Sequence, residues 1–358
     1  MPVTTVKIVI APDSYKECLS SREVTASMAE AALQACPSAE VIQIPLADGG
    51  EGMLDVLAEV LGANVYETKV SDPLGRTVTA RIAIKGDTGI IEVSQACGLS
   101  LLAQSERNPL VASSKGVGEL IMDAYRQGCR HLVIGLGGSA TCDGGSGMLS
   151  VPGVKDALRD ASVELLCDVE NPFTGPEGAA RVFAPQKGAS PSDVEILERR
   201  MQALALQMIA DTGIDVSSIP GAGAAGGLGG ALIAYAGATV SSGADSIMHL
   251  TGFDDAVRDA DIIITGEGRS DLQTLKGKVP IGVLHHCFRK KVALVSGSVD
   301  ENAVSALSGA GFWTVLAVTP KGVPLSLAIE PKVARENIRS AIMQLLYSNK
   351  SSSFTLGT

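Results

Sequence analysis

The chain has 358 residues, 46% of them hydrophobic and 19% charged, enough for two or three soluble domains with a large core. Its net charge of −10 excludes a general nucleic-acid or anionic-membrane binder, while leaving room for a local basic pocket around a small anionic ligand. Its seven cysteines are odd in number and form no C-x-x-C pair, which excludes a disulfide framework or zinc site and fits reduced thiols in a cytoplasmic protein.

Val6 to Ala11 is a continuous apolar run rich in β-branched residues, the pattern of a buried parallel strand and far too short for a signal peptide. It breaks into Pro12-Asp13-Ser14-Tyr15-Lys16, after which Ser20 or Ser21 caps a helix to about Ala35, with Glu23 in its first turn. Val41 to Ala47 repeats the scheme. It ends in Asp48-Gly49-Gly50-Glu51-Gly52 and passes into a helix to about Leu61. Two strands that end in polar loops and lead into helices predict a doubly wound α/β unit.

The rhythm changes between Val65 and Val93. Three β-rich segments, separated by turns at Asp72-Pro73-Leu74-Gly75 and Lys85-Gly86-Asp87, predict an antiparallel meander and hence an inserted second domain. Next come a helix over Gly116–Gln127 and a strand, Leu132-Val133-Ile134, that runs into five glycines between Gly135 and Gly145. Val163 to Cys167 is a further strand, ending in Asp168-Val169-Glu170-Asn171-Pro172, and Asp193 to Asp211 is an amphipathic helix. Val216 to Ala244 carries no charge but holds eight glycines and a proline, so it reads as a Gly/Ala helix packed inside the protein rather than a membrane span. The α/β pattern returns with strands at Ile262–Thr265, Val292–Val295 and Trp313–Val318. Helices are expected around Pro280–Phe288 and over Glu336–Tyr347, and a Ser-rich tail over 348–358 reads as disordered. The resulting divisions are 1–64 with 254–347, 65–253, and the tail.

The glycine-rich turn after Ile134 carries Gly138, Ser139, Thr141 and Asp143. Glycine lets backbone N–H groups approach a ligand, so the turn reads as the floor of a phosphate site or, equally, as a tight strand-to-helix turn. Pro220 to Gly230 contains Gly221, Gly223 and Gly226 in a G-x-G-x-x-G spacing. With Pro220 before it and no β-α-β unit around it, a dinucleotide fingerprint is a poor reading. A phosphate-binding helix start and a helix packed through its glycines both remain open. Lys16, Arg181, Lys187, Arg269, Lys276 and Lys278 lie in polar loops where cations serve phosphoryl transfer, though an exposed Lys or Arg is usually a solvated charge. Asp13, Asp48, Asp143, Asp168, Glu267 and Asp271 stand at or just past strand ends, where carboxylates hold Mg²⁺ or take a proton from a hydroxyl. Asp168 directly follows a buried strand and is the hardest to read as a turn residue.

Seven segments in order carry a family resemblance: APDSYKECLS (Ala11–Ser20), ADGGEG (Ala47–Gly52), GGSATCDGG (Gly137–Gly145), CDVENP (Cys167–Pro172), APQKGA (Ala184–Ala189), PGAGAAGGLG (Pro220–Gly229) and ITGEGRSD (Ile264–Asp271). Together they resemble the bacterial type-1 glycerate kinases up to about Tyr347. The resemblance implies an ATP- and Mg²⁺-dependent kinase acting on D-glycerate in glycerate, glyoxylate or sugar-diacid catabolism, with C2 as the phosphorylated position and a 3-phosphate product as the alternative. It implies an α/β fold of two domains, one flavodoxin-like with a doubly wound parallel sheet and one inserted with a mixed sheet, and an active site in the cleft. By the same resemblance Asp168 is the base, and Asp13, Ser14 and Lys16 are expected in the cleft, where Lys16 reads as a catalytic cation. Asp13, Ser14, Arg181, Lys187 and Arg269 are expected at the substrate. Gly138, Ser139, Thr141, Gly221, Gly223 and Gly226 are expected at phosphate or nucleotide, and Asp48, Asp143 and Glu267 at the metal. A homodimer stays open. One departure stands out: the family has a longer segment between the G-G-x-G-M turn and the C-D-V strand. Here Gly147-Met148-Leu149-Ser150 passes almost directly into Pro152-Gly153-Val154-Lys155. Loss of activity in that segment would leave a small-acid or nucleotide sensor.

Overall fold

The structure is a computed structural model that describes residues 5–287 and 289–353, with side chains described as far as 348. It divides into two compact units, Met1–Ala47 with Ile247–Thr358, and Asp48–Ser246.

The first unit is built from both ends of the chain. Its strands are β1 (Lys7–Ile10), β2 (Glu40–Gln43), β9 (Ile262–Thr265), β11 (Lys291–Ser296) and β13 (Thr314–Ala317). They form an all-parallel sheet in the order β13-β11-β9-β1-β2, with Ile8 paired to Val41 on one side and to Ile262 on the other. In order of appearance this is 2-1-3-4-5, the flavodoxin-like winding, whose switch point falls between β1 and β9. Ile8, Val9, Ile10, Ile263 and Ile264 are fully buried, as both-face coverage of a parallel sheet demands. The helix Ser21–Ala35 starts on a capping box, in which Ser20 Oγ accepts from Glu23 N and the Glu23 carboxylate accepts from Ser20 N. Its Val24 and Met28 share one core with Ile338 and Ile342 of the final helix, Pro331–Ser353. That helix ends at Ser353, and residues 354–358 of the expected tail lie outside the described residues. The helix expected over 280–288 spans Val279–His286, and Phe288 lies outside the described residues. A short parallel pair, β10 (Arg269–Ser270) with β12 (Ser298–Val299), sits beyond β9 and β11.

The second unit carries β3 (Asn64–Ser71), β4 (Thr77–Lys85), β5 (Thr88–Glu92), β6 (His131–Gly135), β7 (Ser162–Leu166) and β8 (Thr239–Ser241), hydrogen-bonded in that order. The first three form the antiparallel meander; β5 to β8 are parallel, which makes the sheet mixed. The helix Met53–Leu61 belongs here, not with the N-terminal strands. Glu92 at the end of β5 accepts from Gly52 N and Leu54 N at the helix start, and Met53 is fully buried. Burial pushes the Glu92 carboxyl up from its ordinary value, so its donors, Ser94 Oγ and the Gln95 side chain included, hold a group that solvent does not.

The uncharged stretch 216–244 departs from its single-helix reading. The helix covers only Ala224–Ala236 and is interrupted at Ala225, Gly226 and Gly227, which all have positive φ. Residues 239–241 then form β8, whose Ser241 carbonyl accepts from Cys167 N. The shortened segment after Gly147 forms two brief helices, Ser146–Leu149 and Val154–Asp160, that lead straight into β7.

Candidate active site

Each strand end in the second unit delivers a polar loop, and the loops differ in what their side chains are left to do. After β6, the backbone of Gly137 lies against that of Gly50: a Cβ at Gly137 would stand 2.3 Å from Gly50 Cα. The glycines here let two protein loops touch. The same holds for the second glycine cluster. A Cβ on Gly226 would stand 2.0 Å from Thr141 O, one on Gly223 would stand 2.2 Å from Pro172 O, and Gly221 faces Val240. The structure thus brings Gly221, Gly223 and Gly226 together with Thr141 and the CDVENP loop, packed backbone to backbone.

Lys187 is 4% exposed and donates to Ser139 Oγ at 2.9 Å and to Thr141 O at 2.7 Å. Burial lowers its pKa from the ordinary lysine value. It therefore ties the loop holding Gly138, Ser139 and Thr141 to the APQKGA segment from beneath. Asp143 accepts from Ser114 N, Ser114 Oγ, Gly145 N and Gly147 N, so its carboxylate is filled by the protein's own donors. Arg181 forms a bidentate pair with Glu195, at 2.7 and 3.1 Å, with both side chains exposed.

Asp168, directly after β7, is different. Its Oδ1 accepts from Ser242 Oγ at 2.9 Å and from Gly243 N at 2.8 Å, at the start of the helix Gly243–Leu250. These donors lower its pKa, yet burial outweighs them, the Asp48 charge adds to the rise, and the carboxyl is pushed up to about 6. Gly243 brings the two acids together: a Cβ there would stand 2.6 Å from the Asp48 carbonyl oxygen. Asp48 itself accepts from Gly50 N with its Oδ1. Ser242 has no role in the sequence reading, because β8 and the cap were hidden in the uncharged stretch. The signal was there as Ser242-Gly243-Ala244-Asp245, an N-cap pattern in which Ser242 Oγ also accepts from Asp245 N.

In the first unit, the β1 loop places Asp13, 5% exposed, with its Oδ1 accepting from Ser14 N and its own N–H donating to Gly266 O. Tyr15 is buried and donates from its hydroxyl to Val295 O, and burial raises its pKa far above the phenol range. Lys16, next in sequence, is exposed. Glu267, 6% exposed, accepts from Ser270 Oγ, Thr274 Oγ1 and Lys278 Nζ at 2.9, 2.6 and 3.0 Å. Arg269 is largely exposed and lies 3.8 Å from Asp271 and 3.7 Å from Asp300. Among the described residues no group of three or more His, Cys, Asp or Glu is arranged to hold a metal ion.

The glycerate kinase family profile matches residues 8–156 and 149–348, two stretches that meet at the shortened segment. The chain belongs to the glycerate kinase family. It is 37% identical over 356 residues to a glycerate kinase of Bacillus subtilis (strain 168), covering 90% of this chain and 93% of that one. It is 38% identical over 328 residues to a glycerate 2-kinase of Escherichia coli (strain K12), covering 83% and 86% of the two chains. A crystal structure of a Salmonella typhimurium LT2 protein, described as a candidate glycerate kinase 2, matches with a TM-score of 0.78 at 36% identity, over 98% of this chain and 100% of that one. The chain is accordingly a kinase, an enzyme that transfers a phosphoryl group to an alcohol. Among the described residues no helix is long and apolar enough to cross a membrane.

Proposed function

We propose that the protein transfers the γ-phosphoryl group of ATP to the C2 hydroxyl of D-glycerate, giving 2-phospho-D-glycerate. The observation that carries this reading is Asp168. A carboxylate with a pKa of about 6 is ionised at neutral pH and still basic enough to accept a hydroxyl proton, which is how a general base is tuned. Ser242 Oγ and Gly243 N hold Oδ1, and Ala244 N adds a longer bond to Oδ2 at 3.4 Å, so the carboxylate has a fixed mount, and small misplacements of such a base are costly in rate. The C2 hydroxyl adjoins the substrate carboxylate, so whichever cation holds that carboxylate brings C2 rather than C3 to the base. The glycerate 2-kinase named among the relatives supports the same regiochemistry.

Lys16, exposed on the β1 loop of the first unit, is proposed as a catalytic cation for phosphoryl transfer. Asp48 fits Mg²⁺ best of the three expected acids: it is half-buried, and its charge already acts on Asp168. Asp143 and Glu267 do not fit, because protein donors occupy their oxygens. When bound with ATP, Mg²⁺ neutralises charge on the phosphates. A cytoplasmic location, expected from the odd cysteine count, is part of the same proposal.

The test couples the reaction to enolase with no mutase present. The 2-phosphate is consumed at once, so a signal without delay is the expected result. A signal that appears only after phosphoglycerate mutase is added assigns the 3-phosphate instead, and absence of ADP release overturns the kinase assignment for this substrate.

A further inference from the structure

The first unit has a cavity of about 260 Å³ walled by the segments just past the carboxyl ends of its parallel strands. Tyr15 comes from the exit of β1, Gly268 from that of β9, Gly297 from that of β11, and Val318 from that of β13. In open parallel sheets ligands bind outside the carboxyl ends of the strands. The strand exits are drawn close by the glycines: a Cβ at Gly297 would stand 2.4 Å from Gly268 O, and one at Gly268 3.1 Å from Lys16 N. Backbone therefore forms part of the lining, and Val318, Val323 and Ile329 supply aliphatic side chains to it. Leu325 stands at the rim with 73% of its surface exposed, an apolar side chain left for a ligand to cover. Two hydroxyls, those of Ser298 and Thr319, line the cavity and make no hydrogen bond to another described residue. Lys16 supplies a cation at the same cavity.

Aliphatic lining, two hydroxyls and an adjacent cation match a ligand with an aromatic body, ring heteroatoms and an anionic tail. The volume lies just under the roughly 300–1,000 Å³ of drug-sized sites, room for a purine but not for a whole nucleotide. We propose that this cavity holds the adenine base of the phosphoryl donor, with the phosphates running out of it toward Lys16 and the β1 loop. The proposal rests on the reading of the protein as an ATP-dependent glycerate kinase and adds where the donor is recognised. A larger cavity of about 550 Å³ in the second unit, lined by Leu110, Ser113, Asp143, Arg200 and Leu204, is the competing place. It opens beside the Asp143 carboxylate and is the poorer host for a polyanion.

The experiment is photolabelling of the full chain with 8-azido-ATP and mapping of the labelled peptide, together with calorimetric binding of ATP to Val323→Trp and Leu325→Asp. Both positions are on an exposed segment, and Leu325 has little native packing to lose, so this second variant guards against misfolding of the first. The label is expected within 318–329 or beside Gly268 and Gly297. ATP affinity is expected to fall roughly tenfold or more in each variant, while the KM for glycerate stays within about two-fold. Label at 109–113 or 200–207, wild-type affinity in both folded variants, or no binding of ATP overturns the proposal. Label in the cavity without phosphorylation of glycerate upholds the pocket and overturns the substrate reading. Normal glycerate turnover with label elsewhere does the reverse.

Discussion

Asp168 and Glu267 make the instructive comparison. Each stands just past a buried strand of a parallel array, Asp168 after β7 and Glu267 after β9, and each is largely withdrawn from solvent. Glu267 is met by Lys278 and by two hydroxyls that donate to it, with Ser270 also bonded to Ser296 at 2.7 Å. Asp168 has two close donors on one oxygen, and the charge that acts on it is the like charge of Asp48. The first is a closed network that fixes a turn; the second is an acid with capacity left over. Position at a strand end thus marks where chemistry is possible, and the neighbours decide whether the carboxylate is locked or reactive.

The largest expected effect comes from Asp168→Asn. The amide keeps the acceptor for Ser242 and Gly243 but cannot take a proton, so kcat is expected to fall about 10²–10⁴-fold with glycerate KM within a few-fold. A steady-state assay of ADP release measures it, and near-normal kcat would erase the distinction between the two acids. Next comes Glu267→Ala, which strands Lys278 and the two buried hydroxyls of Ser270 and Thr274. A loss of about 2–5 kcal/mol is expected, read as a lower denaturant midpoint, with kcat per folded molecule changed less than tenfold. A collapse of kcat at unchanged stability would instead make Glu267 a functional acid.

The pH profile sharpens the same contrast. With a folded pKa of about 6, Asp168 is protonated below that pH, so kcat/KM should fall about tenfold per pH unit on the acid side. The limb should be missing from the residual activity of Asp168→Asn and kept in Glu267→Ala. The smallest effect is on stability. Asp168 has its pKa raised on folding from 3.8 to about 6, so the folded state favours its protonated form. Its contribution is most favourable below pH 3.8 and is lost as pH rises through about 6. Asp168→Asn is therefore expected to be more stable than the parent at pH 7.5, by on the order of 1–2 kcal/mol, with the gain shrinking toward pH 5. Thermal unfolding at the two pH values tests this; a less stable variant at pH 7.5 would contradict the cost assigned to the buried charge.

Local order shows how far the sequence was readable. The apolar runs of β1, β6, β7 and β9 and the capping box at Ser20 lie in contiguous residues, and the alternation of strand and helix exposes the α/β class. The role of Asp168 as base is the proposal made above; its position, just past an unbroken apolar strand, was legible in the same way. The glycine clusters were not, since close packing on Thr141 O and Pro172 O and close approach to a phosphate ask the same thing of glycine. The partners of Lys187 and Arg181 were hidden for another reason. Ser139 is 48 residues from Lys187, and Glu195 is 14 from Arg181, so charge type alone could not distinguish a buried tie, an exposed pair and a substrate clamp. The helix Met53–Leu61 was assigned to the wrong unit because its anchor, Glu92, lies 40 residues beyond Gly52, in a different strand.

The pairing of Ile8 with Ile262 has a consequence for the order in which the chain matures. The unit Asp48–Ser246 is contiguous and contains all its own strands, so it can complete its sheet while the rest of the chain is still being made. β1 and β2 are synthesised first yet have no β9 to bind until more than 200 residues later. At a ribosomal speed of about 5–20 residues per second, that leaves them without their central neighbour for roughly 10–40 s. Two short strands that wait this long, β1 with its apolar Ile8, Val9 and Ile10, are an exposed edge in the nascent chain, and the intervening unit, folding first, shortens the effective loop that must close to bring them home.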